Sequence, residues 1–397
     1  MAAIAPVAVE RRGLYYPWVH FSSDDWVKRA LIVFPGLHRM VSQDQQPDDS
    51  ELVNSLRANN LIRNSNLRTN NTFFASRTLE TLIREDLNSA GEAFQARFGR
   101  DAAKASGQPS FQMNLGKDTS GLLPDFLVSH GLAWRPDEIY MDNPLYHELH
   151  PDLGHAVMGT LAMACAEDEG LHIVGGDSPR GRDVSAELNC TMAAGDMSGP
   201  YKHFVRKELR PNAVHASSDD LFHSVVNFNC DVSALRLDGV MALQAEREPL
   251  RNLKQKLQEM ALTIPPMANL KSREEAFRDK ANEIISHWKV DNLNWSKFVR
   301  ELLPFEKFGA GSGKLAETIP TMLPAVAGAT AWNVVDATAG ISIALLTHVG
   351  VSYAKVRKQS AESPFRYMTL AQQKGVSFYL TTVTDREPGP DVRPIAS

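Results

Sequence analysis

The chain has few cysteines, and none at the spacing of a metal site. Its 397 residues include three cysteines, and Cys165, Cys190 and Cys230 stand far apart in the sequence. A disulfide-stapled secreted domain carries cysteine at much higher density, and a structural zinc site needs closely spaced Cys pairs. We therefore expect reduced, buried thiols in a chain that folds around ordinary hydrophobic cores, since 43% of its residues are hydrophobic.

The sequence also lacks a surplus of positive charge and the common catalytic motifs. Its formal net charge is -5 at pH 7, so no diffuse positive field draws the whole molecule to nucleic acid or anionic membrane. It has neither a GxSxG motif nor a GxGxxG motif after a predicted strand, which gives no support for a hydrolase or a dinucleotide-binding protein. The segment FGAGSGKLAET is not a phosphate-binding loop, because Phe308 replaces its first glycine and Leu315 replaces the Ser or Thr that holds magnesium.

Long uninterrupted apolar runs are missing as well. The longest apolar stretch, 319–351, is interrupted by Pro320, Pro324, Asn333 and Asp336, and an Asp at the middle of a bilayer costs roughly 2.5 to 3.5 kcal/mol. The first residues do not form a secretory signal, because the arginines follow a short apolar stretch instead of preceding it. We therefore predict a cytoplasmic protein without a constitutive membrane span.

The local patterns predict a mixed α/β domain over residues 1–185. The segment LYYPWVHF is aromatic and β-prone, and Ser22 or Ser23 is placed to cap a helix whose first turn carries Asp24 and Asp25. The segment from Leu153 to Gly170 reads as a buried helix, and LHIVGGD follows as a short strand that enters a turn. The Gly, Ser, Lys and Gln residues of 101–118 predict a surface loop.

The remainder is predicted to be a mainly helical domain over residues 186–380, so the whole chain is helix-rich. Pro249 interrupts the apolar pattern of 240–262, which predicts either two helices or one helix that restarts at the proline. The last residues, 381–397, are rich in proline and polar side chains, and they predict a disordered tail.

The densest histidine cluster lies in YHELHPDLGH, and its spacing does not favour zinc. His147 and His150 do not form an HExxH motif, because Pro151 follows His150 and no cysteine lies near enough to complete a tetrahedral site. The pattern instead predicts a solvated loop in which one histidine caps a helix.

Carboxylates are the strongest candidates for a chemical site. Asp177 directly follows the LHIVGG strand, and open α/β sheets place metal or phosphate chemistry at the carboxyl ends of their strands. Several converging carboxylates can hold Mg²⁺ and activate water for phosphodiester cleavage. We therefore take Asp177, Asp152, Asp24 and Asp25 as candidate catalytic residues, with Asp177 and Asp152 as the metal ligands. The alternative is that Asp177 is a turn residue and that the acids of 24–25 stabilise a helix N-terminus.

A locally basic stretch suggests contact with a phosphate backbone. Seven arginines between Arg57 and Arg100 face four acids, and Arg77 and Arg84 are the candidate nucleic-acid-binding residues. Phe73, Phe74 and Phe94 offer stacking surfaces for bases. The alternative is the solvated side of an ordinary helix.

Three blocks carry a resemblance to a known family: LYYPWVHFSSDDWVKRALIVFPGLHRMV, then PDDSELVNSLRANNLI, then GHAVMGTLAMACAEDEGLHIVGGDS. In content and order they resemble a bacterial family known as domain of unknown function 6236, and that resemblance implies no activity. The third block is also similar to the late segment of PIN-type nucleases, in which one acid precedes a helix and another follows the next strand. That resemblance implies roles for Asp152 and Asp177.

Two functions remain open from the sequence. The first is a metal-dependent, PIN-like nuclease that uses magnesium and binds nucleic acid. The second is a binding or scaffold protein, acting in defence, whose small-residue segment Pro324 to Ala344 drives self-association or inserts into a membrane on triggering.

Overall fold

The structure is a computed structural model, and it describes most of the chain up to residue 289 and one later segment. The described residues are 10–42, 45–114, 122–136, 146–176, 179–208, 218–264, 275–289 and 363–379. Asp177, the apolar segment 319–351 and the tail 381–397 lie outside them.

The central element is a sheet of four short parallel strands. In spatial order these are β3 (Ile62–Asn64), β2 (Leu37–Arg39), β1 (Gly13–Tyr16) and β7 (His172–Gly175). Gly13 pairs with Leu37 on one side and with His172 on the other, so the strands are level with one another. Their carboxyl ends consequently share one edge of the sheet, which we call the carboxyl edge.

Side chains next to the helix starts determine where the first helices begin. Ser23 accepts a hydrogen bond from the backbone N–H of Trp26, and Ser50 accepts one from that of Val53. Such N-caps satisfy backbone donors that have no partner inside the helix. The helices of this part are α1 (Asp24–Val33), α2 (Glu51–Ala58), α3 (Asn70–Ala90), α4 (Glu92–Phe98) and α5 (Arg100–Ala105).

A second, antiparallel sheet begins inside the segment that the sequence predicts to be a loop. Its order is β4 (Phe111–Asn114), β6 (Tyr146–Leu149) and β5 (Ala133–Trp134), with α6 (Leu122–Ser129) between β4 and β5 in the sequence. The loop prediction for 101–118 was wrong at both α5 and β4. The strand β4 pairs with β6, more than thirty residues further along the chain, so its structure depends on a distant partner that local composition cannot reveal.

Helix α7 (Pro151–Glu169) lies at the centre of the packing. It is buried almost continuously from Pro151 to Ala166, as expected for a helix that is apolar on all sides. Pro151 occupies its first turn, and Gly170 ends it in the left-handed conformation, with φ 63°. The sequence prediction of a buried helix ending at Gly170 is confirmed. β7 and then α8 (Pro179–Ala193) follow.

The later elements are mainly helical. They are α9 (Gly199–Tyr201), which continues into a π-helical turn (Lys202–Arg206), then α10 (Ser218–Asn229), α11 (Leu237–Ala245), α12 (Arg247–Ala261), a helix α13 over 275–289, and α14 (Arg366–Gln373). Two-residue strands β8 (Cys230–Asp231) and β9 (Ser377–Phe378) pair antiparallel. Two helices, α11 and α12, occupy the region of Pro249, so the two-helix alternative is confirmed.

The chain divides into two compact units, and the predicted boundary at residue 185 is not confirmed. One unit comprises Met1–Ile285 with Leu370–Ser397, and the other comprises Ser286–Thr369. Helices α10 and α11 pack on α1 within the first unit. The sheet and the helices from α9 to α12 therefore share that unit. A helix-rich fold with a parallel sheet is confirmed. Among the described residues, no helix combines the length and the apolarity needed to cross a membrane.

Candidate functional site

The site is built at the carboxyl edge, where β1 ends beside β7. Tyr16, the last residue of β1, pairs with Gly175, the last residue of β7. Helix α7 leads into β7 through Gly170, so its N-terminus returns to this same edge. A contact fixes the arrangement: the Tyr16 hydroxyl lies 3.1 Å from Nδ1 of His155 and donates to the His155 carbonyl oxygen at 3.3 Å. In open α/β sheets, ligands bind at such carboxyl edges.

Aromatic rings enclose His155 and join the antiparallel sheet to this edge. The Phe111 ring of β4 meets the His155 ring edge-on, with centroids 5.0 Å apart, and the Phe204 centroid lies 5.7 Å away. The neighbouring position must be glycine, because a Cβ on Gly154 would lie 2.2 Å from Cγ of Phe111. The start of α7 is therefore held rigidly between the two sheets.

Asp152 is the described carboxylate at this helix start. Its backbone N–H donates to Nδ1 of His150 at 3.2 Å, and its Oδ2 is 2.8 Å from Nζ of Lys207. The predicted helix-capping histidine is therefore His150. Burial, reinforced by the positive charge of Lys207, lowers the pKa of His203. Lys207 and Asp152 thus place a positive and a negative charge side by side at the start of α7.

The other two histidines of the cluster are not in a loop. His147 lies in β6, paired with Met113 of β4. His155 lies within α7 and is 9% exposed. Among the described residues, no group of three or more His, Cys, Asp or Glu side chains could hold a metal ion.

Asp24 and Asp25 lie on the opposite face of the sheet from Asp152. Adjacent residues of a strand point to opposite faces; Tyr15 packs on Trp26 of α1, with ring centroids 4.5 Å apart, whereas Tyr16 contacts α7. Asp24 accepts a hydrogen bond from Ser50 at 2.6 Å.

Asp25 forms an ion pair with Lys28 at 3.2 Å. Both acids are thus in the first turn of α1, where their negative charges stabilise the helix by interacting with the positive end of its dipole. Asp152 belongs to a different helix, α7, and Asp177 lies outside the described residues.

The predicted arginines lie along the exposed side of α3. Glu80 connects them, 2.8 Å from Arg84 and 3.9 Å from Arg77. Phe73 and Phe74 are 41% and 64% exposed. Phe94, in contrast, is buried against Phe98, with ring centroids 4.8 Å apart, so it offers no stacking surface.

A buried arginine that the sequence analysis missed organises the rest of the carboxyl edge. Arg39, the last residue of β2, is fully buried, and its guanidinium donates to both carboxylate oxygens of Asp49 at 2.6 and 2.7 Å. It also donates to Asn64 of β3 and to the Val19 carbonyl. The pair joins the loops that follow β1 and β2 to the last residue of β3. No local motif marks it, although an arginine inside a short apolar strand is itself a signal of a buried partner.

A second missed cluster lies between β2 and α7. Nδ1 of His38 is 2.7 Å from Glu169 and 3.2 Å from the Ser65 hydroxyl. A Ser–His–acid triad needs the serine and the acid on different ring nitrogens, so this cluster is not one. Burial raises the pKa of the neighbouring Cys165 thiol to about 12, which keeps it protonated and inert.

No family model, curated protein or solved structure matches the chain. The resemblances to the bacterial family and to PIN-type nucleases therefore stay predictions.

Proposed function

We propose that this protein is a metal-dependent phosphodiesterase acting on nucleic acid, with Asp152 and Asp177 as its metal carboxylates. The observation that carries the proposal is the contact between Tyr16 and His155. It joins the end of β1 to the first turns of α7, and Asp152 lies one helical turn before His155. Asp177 stands two positions beyond the end of β7 in the sequence. The contact thus ties the helix start that carries Asp152 to the end of β1.

The proposal leaves Asp24 and Asp25 out of the metal site. Mg²⁺ ligands lie about 2.1 Å from the ion, so two carboxylates must be close neighbours to share one ion. Asp24 contacts Ser50 and Asp25 contacts Lys28 at the start of α1, on the other face of the sheet from α7, so we assign neither acid to the metal. Asp24 and Asp25 therefore serve as controls.

The chain's own residues suit a phosphodiester at this point. A bound divalent cation would supply positive charge and a water activated for attack. Lys207, 53% exposed and 2.8 Å from Asp152, supplies a cation that can turn from the carboxylate to a substrate phosphate. The Tyr16 hydroxyl and the rings of Phe111 and Phe204 hold the start of α7 in place, and such preorganisation is what a catalytic site requires.

The test is cleavage of labelled DNA and RNA, single- and double-stranded, with Mg²⁺ or Mn²⁺ and with EDTA. We expect metal-dependent cleavage that falls at least a hundredfold in Asp152→Asn and in Asp177→Asn. Asp24→Asn and Asp25→Asn remain within about twofold of the wild type. Equal losses in Asp24→Asn, or no cleavage of any substrate, would overturn the proposal.

The ion pair between Asp152 and Lys207 also favours a second function, that of a non-enzymatic binding protein. An acid neutralised by a lysine at a helix start is typical of a structural residue. This function predicts that the protein binds nucleic acid without cleaving it. Asp152→Asn then lowers the thermal stability, and no cleavage is seen with either the variant or the wild type.

A further inference from the structure

The exposed side of α3 carries aromatic rings and arginines in one line. Phe73, Arg77, Glu80 and Arg84 follow one another at spacings of four, three and four residues, which places them on a single stripe of a helix. Phe73 and Phe74 are more than 40% exposed, and their rings meet edge-on with centroids 5.9 Å apart. Most large apolar side chains of the described residues are buried, so two adjacent exposed Phe rings form an unusual surface.

Charge on this stripe favours an anionic partner. The side chains of Arg77 and Arg84 are 51% and 53% exposed, and Glu80, 15% exposed, contacts both. Two arginines and one acid leave a net positive charge on the stripe. The first turn of α3 itself contains no acid, although the Asp168 carboxylate of α7 accepts a hydrogen bond from Asn71 there. Arg68, exposed just before the helix, adds a further cation.

Arg84 is held in position for such a partner. Its guanidinium lies over the buried Phe126 ring, 4.6 Å from the centroid, and its Nη2 donates to Glu80. The side chain therefore lies along the surface instead of extending into solvent, and it loses little further freedom when it binds a phosphate.

Helix α3, which carries the stripe, packs along α7. At its start, Asn71 donates to Asp168, near the C-terminus of α7. Towards its end, Asp86 accepts from Arg206 at 2.9 Å, and Lys207, the next residue, pairs with Asp152. Residues 73 and 86 are separated by about 20 Å at 1.5 Å per helical residue. The aromatic pair thus lies a few nucleotides away from the site proposed above.

We propose that α3 guides a single-stranded nucleic acid to the carboxyl edge, with unpaired bases stacking on Phe73 and Phe74 and phosphates contacting Arg77 and Arg84. This inference rests on the proposed function, because it names the substrate of that site. Bases inside a duplex already stack on one another, whereas those of a single strand are free to stack on aromatic side chains. The combination of adjacent exposed rings and a line of cations therefore selects the single strand.

Binding without cleavage tests the inference. Fluorescence anisotropy measures a labelled oligothymidylate and a hairpin duplex of equal length, both in EDTA. We expect the wild type to prefer the single strand, and the double variant Phe73→Ala/Phe74→Ala to bind it at least tenfold more weakly. In a plot of the logarithm of the binding constant against the logarithm of the salt concentration, Arg77→Gln makes the slope shallower by about 0.7. That is the value for one phosphate contact on a single strand. Leu262→Ala removes another exposed apolar side chain and serves as the unchanged control.

The inference and the proposed function can fail separately. Asp24→Asn binds the oligonucleotide as the wild type does, because that acid lies neither on the stripe nor in the proposed metal site. If the double Phe variant also binds like the wild type, or if the duplex binds as tightly as the single strand, the inference is wrong whatever happens to cleavage. If the aromatic pair proves necessary for binding while no substrate is cleaved, the phosphodiesterase proposal alone falls. Sedimentation that shows a dimer lost in the Phe variant would assign the surface to a second copy and overturn the inference.

Discussion

Replacing Asp49 by Asn should destabilise the protein severely, because it leaves the buried Arg39 guanidinium without its counter-charge. The side chain of Arg39 is fully buried, that of Asp49 is 3% exposed, and the two form a bidentate pair. Removing one partner of a buried, hydrogen-bonded ion pair typically costs about 3–5 kcal/mol. Total stabilities are about 5–15 kcal/mol, so the loss is a large fraction of what the fold has.

The measurement is urea unfolding followed by circular dichroism. Arg57→Ala is the matched control, because Arg57 contacts the same carboxylate at 3.1 Å but is 40% exposed; an exposed pair contributes at most about 1 kcal/mol. The double variant Arg39→Met/Asp49→Leu removes both charges and should recover most of the loss, since apolar replacements of buried pairs are often neutral. An Asp49→Asn variant within about 0.5 kcal/mol of the wild type would refute the reasoning.

The effect also has a defined pH dependence. Burial opposes the ionisation of Asp49, but the hydrogen bonds and charge of Arg39 outweigh it and hold the pKa of Asp49 below 3.8, its ordinary value. A depressed pKa in the folded state means that the stabilisation is fully present above the unfolded pKa. It is lost as the pH falls through the folded pKa. The difference between wild type and Asp49→Asn should be largest near neutral pH and shrink below about pH 4.

Three further outcomes follow from the buried clusters. Burial acts to raise the pKa of Glu169, but the hydrogen bond from His38 outweighs burial, so the pKa is lowered. The ionised Glu169 therefore stabilises the fold at pH 6, and Glu169→Gln should lower the urea midpoint there. The midpoints of the variant and the wild type should converge as the pH falls through the pKa of Glu169. Gly154→Ala forces a Cβ against Phe111 and should cost about 1–3 kcal/mol in thermal unfolding, whereas an unchanged midpoint would contradict the packing. Cys165, with its pKa raised to about 12 by burial, should resist iodoacetamide at pH 8 until urea is added, and rapid labelling of the native protein by mass spectrometry would contradict this.

The sequence predicted those elements whose signals are local. Ser23 with the acids after it marks the start of α1, and Gly170 marks the end of α7. Capping depends on side chains within three residues of a helix end, so a short window of sequence contains it. The same is true of His150 at the start of α7.

The sequence could not predict features that depend on distant partners. Arg39 meets Asp49 ten residues away, and His38 meets Glu169 more than a hundred residues away. The strand β4 exists through its pairing with β6. The separation of Asp24 from Asp152 follows only once the two helices are known to pack on opposite faces of the sheet. The topology of the fold therefore determines which carboxylates lie close together, and their spacing in the sequence does not predict it.

The most direct test of the central claim is a crystal structure of the protein soaked with Mn²⁺, with the ion located by anomalous scattering. The phosphodiesterase proposal predicts an ion with a carboxylate oxygen of Asp152 about 2.1 Å away, the ligand distance expected for a small divalent cation. An ion bound beside Asp24, or no ion at Asp152 at a Mn²⁺ concentration that supports cleavage, would contradict it.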